Sequence, residues 1–212
     1  MEFKNANLTF DKLHIVSLKE KEEIIVHHPA AYFATPEQIH QWHKERGWSG
    51  AGYHVYIRKS GEVYILRPIN TAGAHCKGHN RKGIGVCFEG NFSDWNPRLK
   101  IDKEMNPKQF EAGVEALVKL CKQFKIPVEK IYPHNKFAKK DCPGKYFPFE
   151  QLINTVGIKL QEKEYHWAQK DFEKLKADGI ITSDHDLNSP LTWGEFSVVI
   201  NRIRESIEKN KK

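Results

Sequence analysis

The chain is short of the features that place a protein in a membrane or staple it with disulfides. No apolar run in its 212 residues approaches the roughly 18 that a helical membrane span needs. The start, Met1-Glu2-Phe3-Lys4-Asn5, has no basic stretch leading into an apolar one. Synthesis in the cytoplasm without a signal peptide is therefore expected, and any action outside the cell would need another release route. Only four cysteines occur, Cys76, Cys87, Cys121 and Cys142, with no CxxC pair and no framework spacing, which argues against disulfides. Cys87 lies in an apolar run and Cys121 on an apolar helical face, so both read as small core residues. A nucleotide-binding glycine loop is lacking too. Gly83-Ile84-Gly85 precedes a strand instead of following one.

What is present is enough for a core. Apolar residues make up 39% and aromatics 11%, a globular and not a disordered composition. The length fits one domain, or one and a small second one. The net charge of +7 is unevenly placed: from Leu160 onward there are 9 Lys/Arg against 10 Asp/Glu, leaving 25 against 17 before it. A basic main domain favours an anionic polymer as partner. Nucleic acid and bacterial cell wall both qualify, but no recognition helix or aromatic-basic sheet motif supports nucleic acid, so none is expected.

The element order is readable. Residues 1–19 are mixed, with an extended segment expected near His14-Ile15-Val16. Ile24-Ile25-Val26 has strand length and β-branched content. Thr35-Pro36-Glu37-Gln38 supplies an N-cap, a proline at the first helical position and a capping-box glutamine for a helix running to about Arg46, which Gly47 stops. Tyr53–Ile57 and Val63–Leu66 flank Ser60-Gly61 and read as a hairpin. Ile84–Phe88 reads as a buried strand. Asn106-Pro107 opens a long amphipathic helix carrying Phe110, Val114, Leu117, Val118, Cys121 and Phe124. A closing helix is expected over 149–156. Strands interspersed with helices predict the α/β class, a mixed central sheet flanked by helices.

Chemistry concentrates in Pro133–Gly144. There an imidazole, His134, and a thiol, Cys142, stand eight residues apart with Lys140 two before the thiol and Pro143-Gly144 after it. Pro and Gly favour a loop that can fold both side chains toward one point. The preceding lysines provide an electropositive setting that favours the thiolate. Imidazole and thiolate are zinc ligands, but two do not make a site. The third is expected from His27 or His28, at the end of the apolar strand. Two histidines and one cysteine would leave a fourth position open, the pattern of a catalytic zinc.

Four blocks occur in order: Ile25-Val26-His27-His28-Pro29-Ala30; Gly47-Trp48-Ser49-Gly50-Ala51-Gly52-Tyr53-His54; Gly73-Ala74-His75 with His79-Asn80; and His134 with Lys140-Asp141-Cys142-Pro143. Together they resemble the zinc-dependent N-acetylmuramoyl-L-alanine amidases of the type-2 family, which includes T7-type phage lysozymes and peptidoglycan recognition proteins. The resemblance covers roughly residues 20 to 155. It implies zinc on His27, His134 and Cys142, with His28 the other candidate for the first position. It implies catalytic assistance from Tyr53 and Lys140, bacterial peptidoglycan as substrate, and hydrolysis of the bond joining N-acetylmuramic acid to L-alanine. A non-catalytic peptidoglycan-binding protein of the same fold is the alternative; in that group the thiol is commonly replaced by serine. Trp48, His75 and Asn80 are expected on loops rimming a groove, as substrate contacts. His79, His40, His43 and His54 read as structural or surface residues.

The domain division expected is a catalytic domain over 1–157 and a small helical module over 158–212. In the latter, Trp167, Phe172 and Leu175 suggest a helix ended by Gly179, and Thr192-Trp193-Gly194-Glu195 caps a second one bearing Phe196, Val199, Ile200, Ile203 and Ile207. The segment resembles a single S-layer homology module. Cell-wall binding, docking on the main domain, or a homodimer through these helices would each cover its apolar face, since a unit this small buries little surface alone.

Overall fold

A computed structural model describes residues 2–96, 98–161, 168–183, 185, 187 and 189–209. The chain divides into two compact units, Met1–Gln161 and Glu162–Lys212.

The first unit is built on a mixed sheet of six strands, β1 (Lys4–Asn5), β2 (Glu23–His27), β3 (Val55–Ile57), β4 (Val63–Ile65), β5 (Gly83–Phe88) and β6 (Ile131–Pro133), in the order β1-β4-β3-β5-β2-β6. The expected hairpin is present, with Tyr56 opposite Tyr64 in the antiparallel β3/β4 pair. β3, β5, β2 and β6 run parallel, pairing Val55 with Val86, Val26 with Val86, and Ile25 with Tyr132. All five residues of β2 and all six of β5 are buried, as expected of parallel strands covered on both faces.

Alternation along these strands sends successive side chains to opposite faces. Ile24, Val26, Ile84, Val86 and Phe88 join Leu117, Leu120, Leu152 and Val156 in the larger core. That core lies under helices α2 (Pro107–Phe124) and α3 (Phe149–Gln161). Tyr56 and Cys87 face the other way, with Ala34, Ile39 and Leu66, toward α1 (Pro36–Glu45). The α1 capping box forms as read: Gln38 N–H donates to Thr35 Oγ1 and Thr35 N–H to Gln38 Oε1.

Three differences from the sequence reading stand out. The segment near His14-Ile15-Val16 makes only a single bridge, Ile15 to Thr71. The edge strand is instead Lys4–Asn5, two exposed residues without the alternation that marks a strand. And α3 continues to Gln161, past the 149–156 expected for the closing helix.

The second unit contains α4 (Gln169–Ala177) and α5 (Trp193–Lys209). Gly179 takes φ +69 after α4, and Glu195 N–H donates to Thr192 Oγ1 at the start of α5. Arg202 Nη1 donates to the Ile180 carbonyl and to Thr182 Oγ1, both at 3.1 Å, tying α5 to the segment that follows α4. Trp167 lies outside the described residues. Among the described residues no helix is long and apolar enough to cross a membrane.

Candidate metal centre

Strand pairing positions the site. Parallel strands place their carboxyl ends along one edge, where α/β proteins form crevices. His27 ends β2, and His134 follows directly on β6, the strand paired with β2. The Lys139–Pro143 loop then returns Cys142, with Asn135 N–H donating to the Cys142 carbonyl at 2.8 Å.

One nitrogen each of His27 and His134 and the sulfur of Cys142 all lie within 4.8 Å of one another, and all three residues are buried. His27 Nδ1 is 3.8 Å from Cys142 Sγ. A tetrahedral zinc with about 2.0 Å to nitrogen and about 2.3 Å to sulfur would hold those atoms about 3.5 Å apart. The donor set and spacing fit such an ion.

His28 does a different job. Phe92 N–H donates to its Nδ1 at 3.1 Å, which leaves the proton on Nε2 to donate to the Asp141 carbonyl, also at 3.1 Å. Both ring nitrogens are engaged, and the ring ties the end of β2 to the cysteine loop. Ser93 Oγ donates to the Asp141 carboxylate of the same loop.

Burial sets the electrostatics. His27 lies well below the usual imidazole range because it is desolvated, with His75 and His134 beside it. Burial, reinforced by Lys140, takes His134 down to about 4. Neutral imidazoles are what a metal requires. The thiol departs from expectation: burial pushes Cys142 up to about 12, although a hydrogen bond with the His28 backbone and the charge of Lys140 pull the other way. The lysines are present, but sequence alone did not show that the thiol turns inward. Without a cation at its side it is a thiol.

The cleft above these groups, about 350 Å³, is lined by His28, Pro29, Ala30, Arg46, Tyr53, Trp95, His134, Lys140, Asp141 and Cys142. Tyr53 and Lys140 are thus brought to the site. Tyr53 sits 5.1 Å from His27, ring centre to ring centre, and burial raises its phenol well above the usual range. Two histidines of α1 hold the loop before it: Ala51 N–H donates to His40 Nδ1 and Gly52 N–H to His43 Nδ1. Their structural reading stands. So does that of His54, whose Nδ1 accepts from Gly85 N–H.

His75 and Asn80 are placed differently from the expected rim. His75 is 8% exposed and lies behind His27, its Nδ1 3.1 Å from His27 Nε2. Asn80 Oδ1 accepts from the His75 and Cys76 N–H groups, so it shapes the turn that presents His75. Trp48 packs on His43 at 4.8 Å, with the Arg46 guanidinium above it, and keeps 38% of its surface exposed. Sequence reading missed Arg46 and Trp95. Trp95 is 65% exposed on the cleft wall, in a segment with no periodicity or motif to mark it.

The sequence profile for N-acetylmuramoyl-L-alanine amidases matches residues 19–145. The endolysin of Escherichia phage T7 is 37% identical over 107 residues, 50% of this chain and 68% of that protein. The endolysin of Klebsiella phage KP32 is 35% identical over 138 residues, 63% and 87% respectively. Among solved structures, the N-acetylmuramoyl-L-alanine amidase LysC from Clostridium intestinale URNW superposes with a TM-score of 0.63 at 33% identity, covering 77% of this chain and 99% of that one.

Proposed function

Since the chain belongs to the N-acetylmuramoyl-L-alanine amidase family, we propose that it hydrolyses the amide between the lactyl group of N-acetylmuramic acid and L-alanine in bacterial peptidoglycan, using zinc. The observation that carries this reading is the convergence of His27, His134 and Cys142 on one point at the floor of a cleft shared with Tyr53 and Lys140.

Zinc bound there would supply Lewis acidity, polarising the amide carbonyl and acidifying a water molecule. The chain's own groups do the rest. His27, His134 and Cys142 would hold the ion, beside the cleft that substrate would enter. Tyr53, kept neutral by burial, offers a phenol that can orient the attacking water or pass its proton. Lys140 offers an ammonium for the oxyanion that forms on the carbonyl carbon's oxygen. Trp48 and Trp95 offer aromatic faces to sugar rings, and Arg46 a cation to stem-peptide carboxylates.

The thiol, phenol and ammonium together favour hydrolysis over the non-catalytic binding alternative. We assign the segment after Gln161 to cell-wall binding or dimerisation; its S-layer-like pattern is the support, and the family match ends before it. The reading of a phage-type lytic enzyme made in the cytoplasm and released separately rests on likeness to the phage endolysins.

Digestion of purified cell walls tests the reaction. Free L-alanine amino groups should appear without new reducing sugars, a chelator should stop their release, and zinc should restore it. New reducing ends would make the enzyme a glycosidase and overturn the assignment. Cys142→Ser should lose zinc and activity and keep wall binding.

A further inference from the structure

Beneath the three ligand residues lies a second layer that the reaction scheme does not use. His27 has two ring nitrogens with separate partners: Nδ1 faces Cys142 Sγ and Nε2 faces His75 Nδ1. A nitrogen that binds a metal must be bare, so the proton of that ring sits on the other nitrogen and needs an acceptor. We propose that His75 is a positioning residue: it accepts the His27 Nε2 proton, fixes the tautomer that presents Nδ1 to the ion, and so sets how tightly the centre holds zinc. The inference rests on the zinc reading above.

The role requires His75 to keep its own proton on Nε2, and an acceptor beside the ring favours that. His75 Nε2 is buried with no hydrogen-bond partner. The backbone of Gly83 acts on the ring as an acceptor, and its carbonyl also takes a bond from Lys21 Nζ at 3.4 Å. A bare nitrogen pointed at a carbonyl oxygen is repelled; an N–H is attracted even where the geometry falls short of a full bond. With the proton on Nε2, Nδ1 is an acceptor, and His27 must donate to it.

The fold makes room for this ring at some cost. A Cβ on Gly73 would sit 2.4 Å from the His75 ring, and one on Gly85 2.6 Å from it. Gly83 and Gly85 lie two apart on β5, so both bare the face that carries Cys87 and, on the neighbouring strand, Ile25 and His27. Glycine weakens a strand interior and marks close approach of another group. Gly85 on the strand and Gly73 on the loop therefore serve a buried imidazole, while Gly83 leaves room for the His79 carbonyl. Metal-binding histidines more often donate to a carboxylate or a carbonyl. A neutral imidazole orients His27 without adding negative charge beside the ion.

The test measures zinc, not turnover. The full chain, stripped and reloaded with zinc alone, is titrated against a chromophoric chelator, and the melting temperature of each metal-free variant is recorded beside it. His75→Phe fills the nook but cannot accept, and should weaken zinc binding about 10–100-fold. His75→Gln, whose Oε1 can accept, should recover most of that loss. Unchanged affinity in His75→Phe overturns the proposal. So does an equal loss in both variants that tracks a loss of metal-free stability, since that is packing alone. Should His75→Phe fail to fold, nitrogen-detected NMR of the wild-type zinc protein decides: His27 protonated on Nε2 and His75 bare on Nδ1 is expected, and the opposite pattern refutes it. If the wild type binds no zinc, the failure belongs to the metal reading, not to the role of His75.

Discussion

At the scale of residues, most of the site is a matter of which groups are buried and which are not. Lys140 is exposed at the cleft while His27, His134 and Cys142 are buried. Lys140→Ala should therefore leave zinc content and folding intact while lowering kcat about 100–1,000-fold, the usual effect of losing an oxyanion donor; metal analysis beside a turnover assay checks both halves. Burial also predicts acid sensitivity. His43 is held down to about 4 chiefly by desolvation, and His54 is well below the usual range for the same reason. The folded state binds fewer protons than the unfolded one between about pH 4 and about pH 6.5, so stability is full above that window and drains away as pH falls through it. By pH 5, His43 alone costs about 2 kcal/mol, which should appear as a falling melting temperature of the metal-free protein between pH 7 and pH 5. The grouping of His27, His134 and Cys142 was legible because motif spacing marks these residues. His75 was legible as a member of the site but not as buried, because nothing in Gly73-Ala74-His75 says which way the ring turns. Trp95 carried no signal at all.

At the scale of elements, periodicity and caps revealed the helices and the hairpin, because α1, α2 and β3/β4 each carry their own local instructions. The edge strand β1 does not: two exposed residues owe their conformation to pairing with β4, a tertiary effect. The cysteine loop is held similarly from outside. Gly144 takes φ +104, and a Cβ there would meet the Phe92 carbonyl oxygen at 2.3 Å, while Tyr146 N–H donates to that same oxygen. Gly144→Ala should cost about 2 kcal/mol through strain and forced displacement, or roughly 4–8 °C in melting temperature for a chain of this size. Zinc affinity should fall with it, because Cys142 rides on the same loop; calorimetry and chelator competition report the two effects separately.

At the scale of the whole molecule, two units invite separation. A chain ending at Gln161 keeps every residue of the centre and the cleft, and should hydrolyse small soluble muropeptides at close to the full rate. On intact walls its rate at low enzyme concentration should drop by about tenfold or more if the second unit adds an independent attachment point; equal rates on both substrates would leave that unit without a wall-binding role. The order of the family blocks along the chain was legible because each is local, whereas what covers the apolar residues of α5 is not written in either the pattern or the helix itself. The wide chain separation of the ligands has a consequence of its own. His27 and Cys142 are 115 residues apart, so an ion clasped between them fastens the beginning of the first unit to its end, much as a long-span disulfide would. Such a rivet can be withdrawn by a chelator and reinserted at will, and with it the resistance of this unit to heat and proteases becomes a setting instead of a constant.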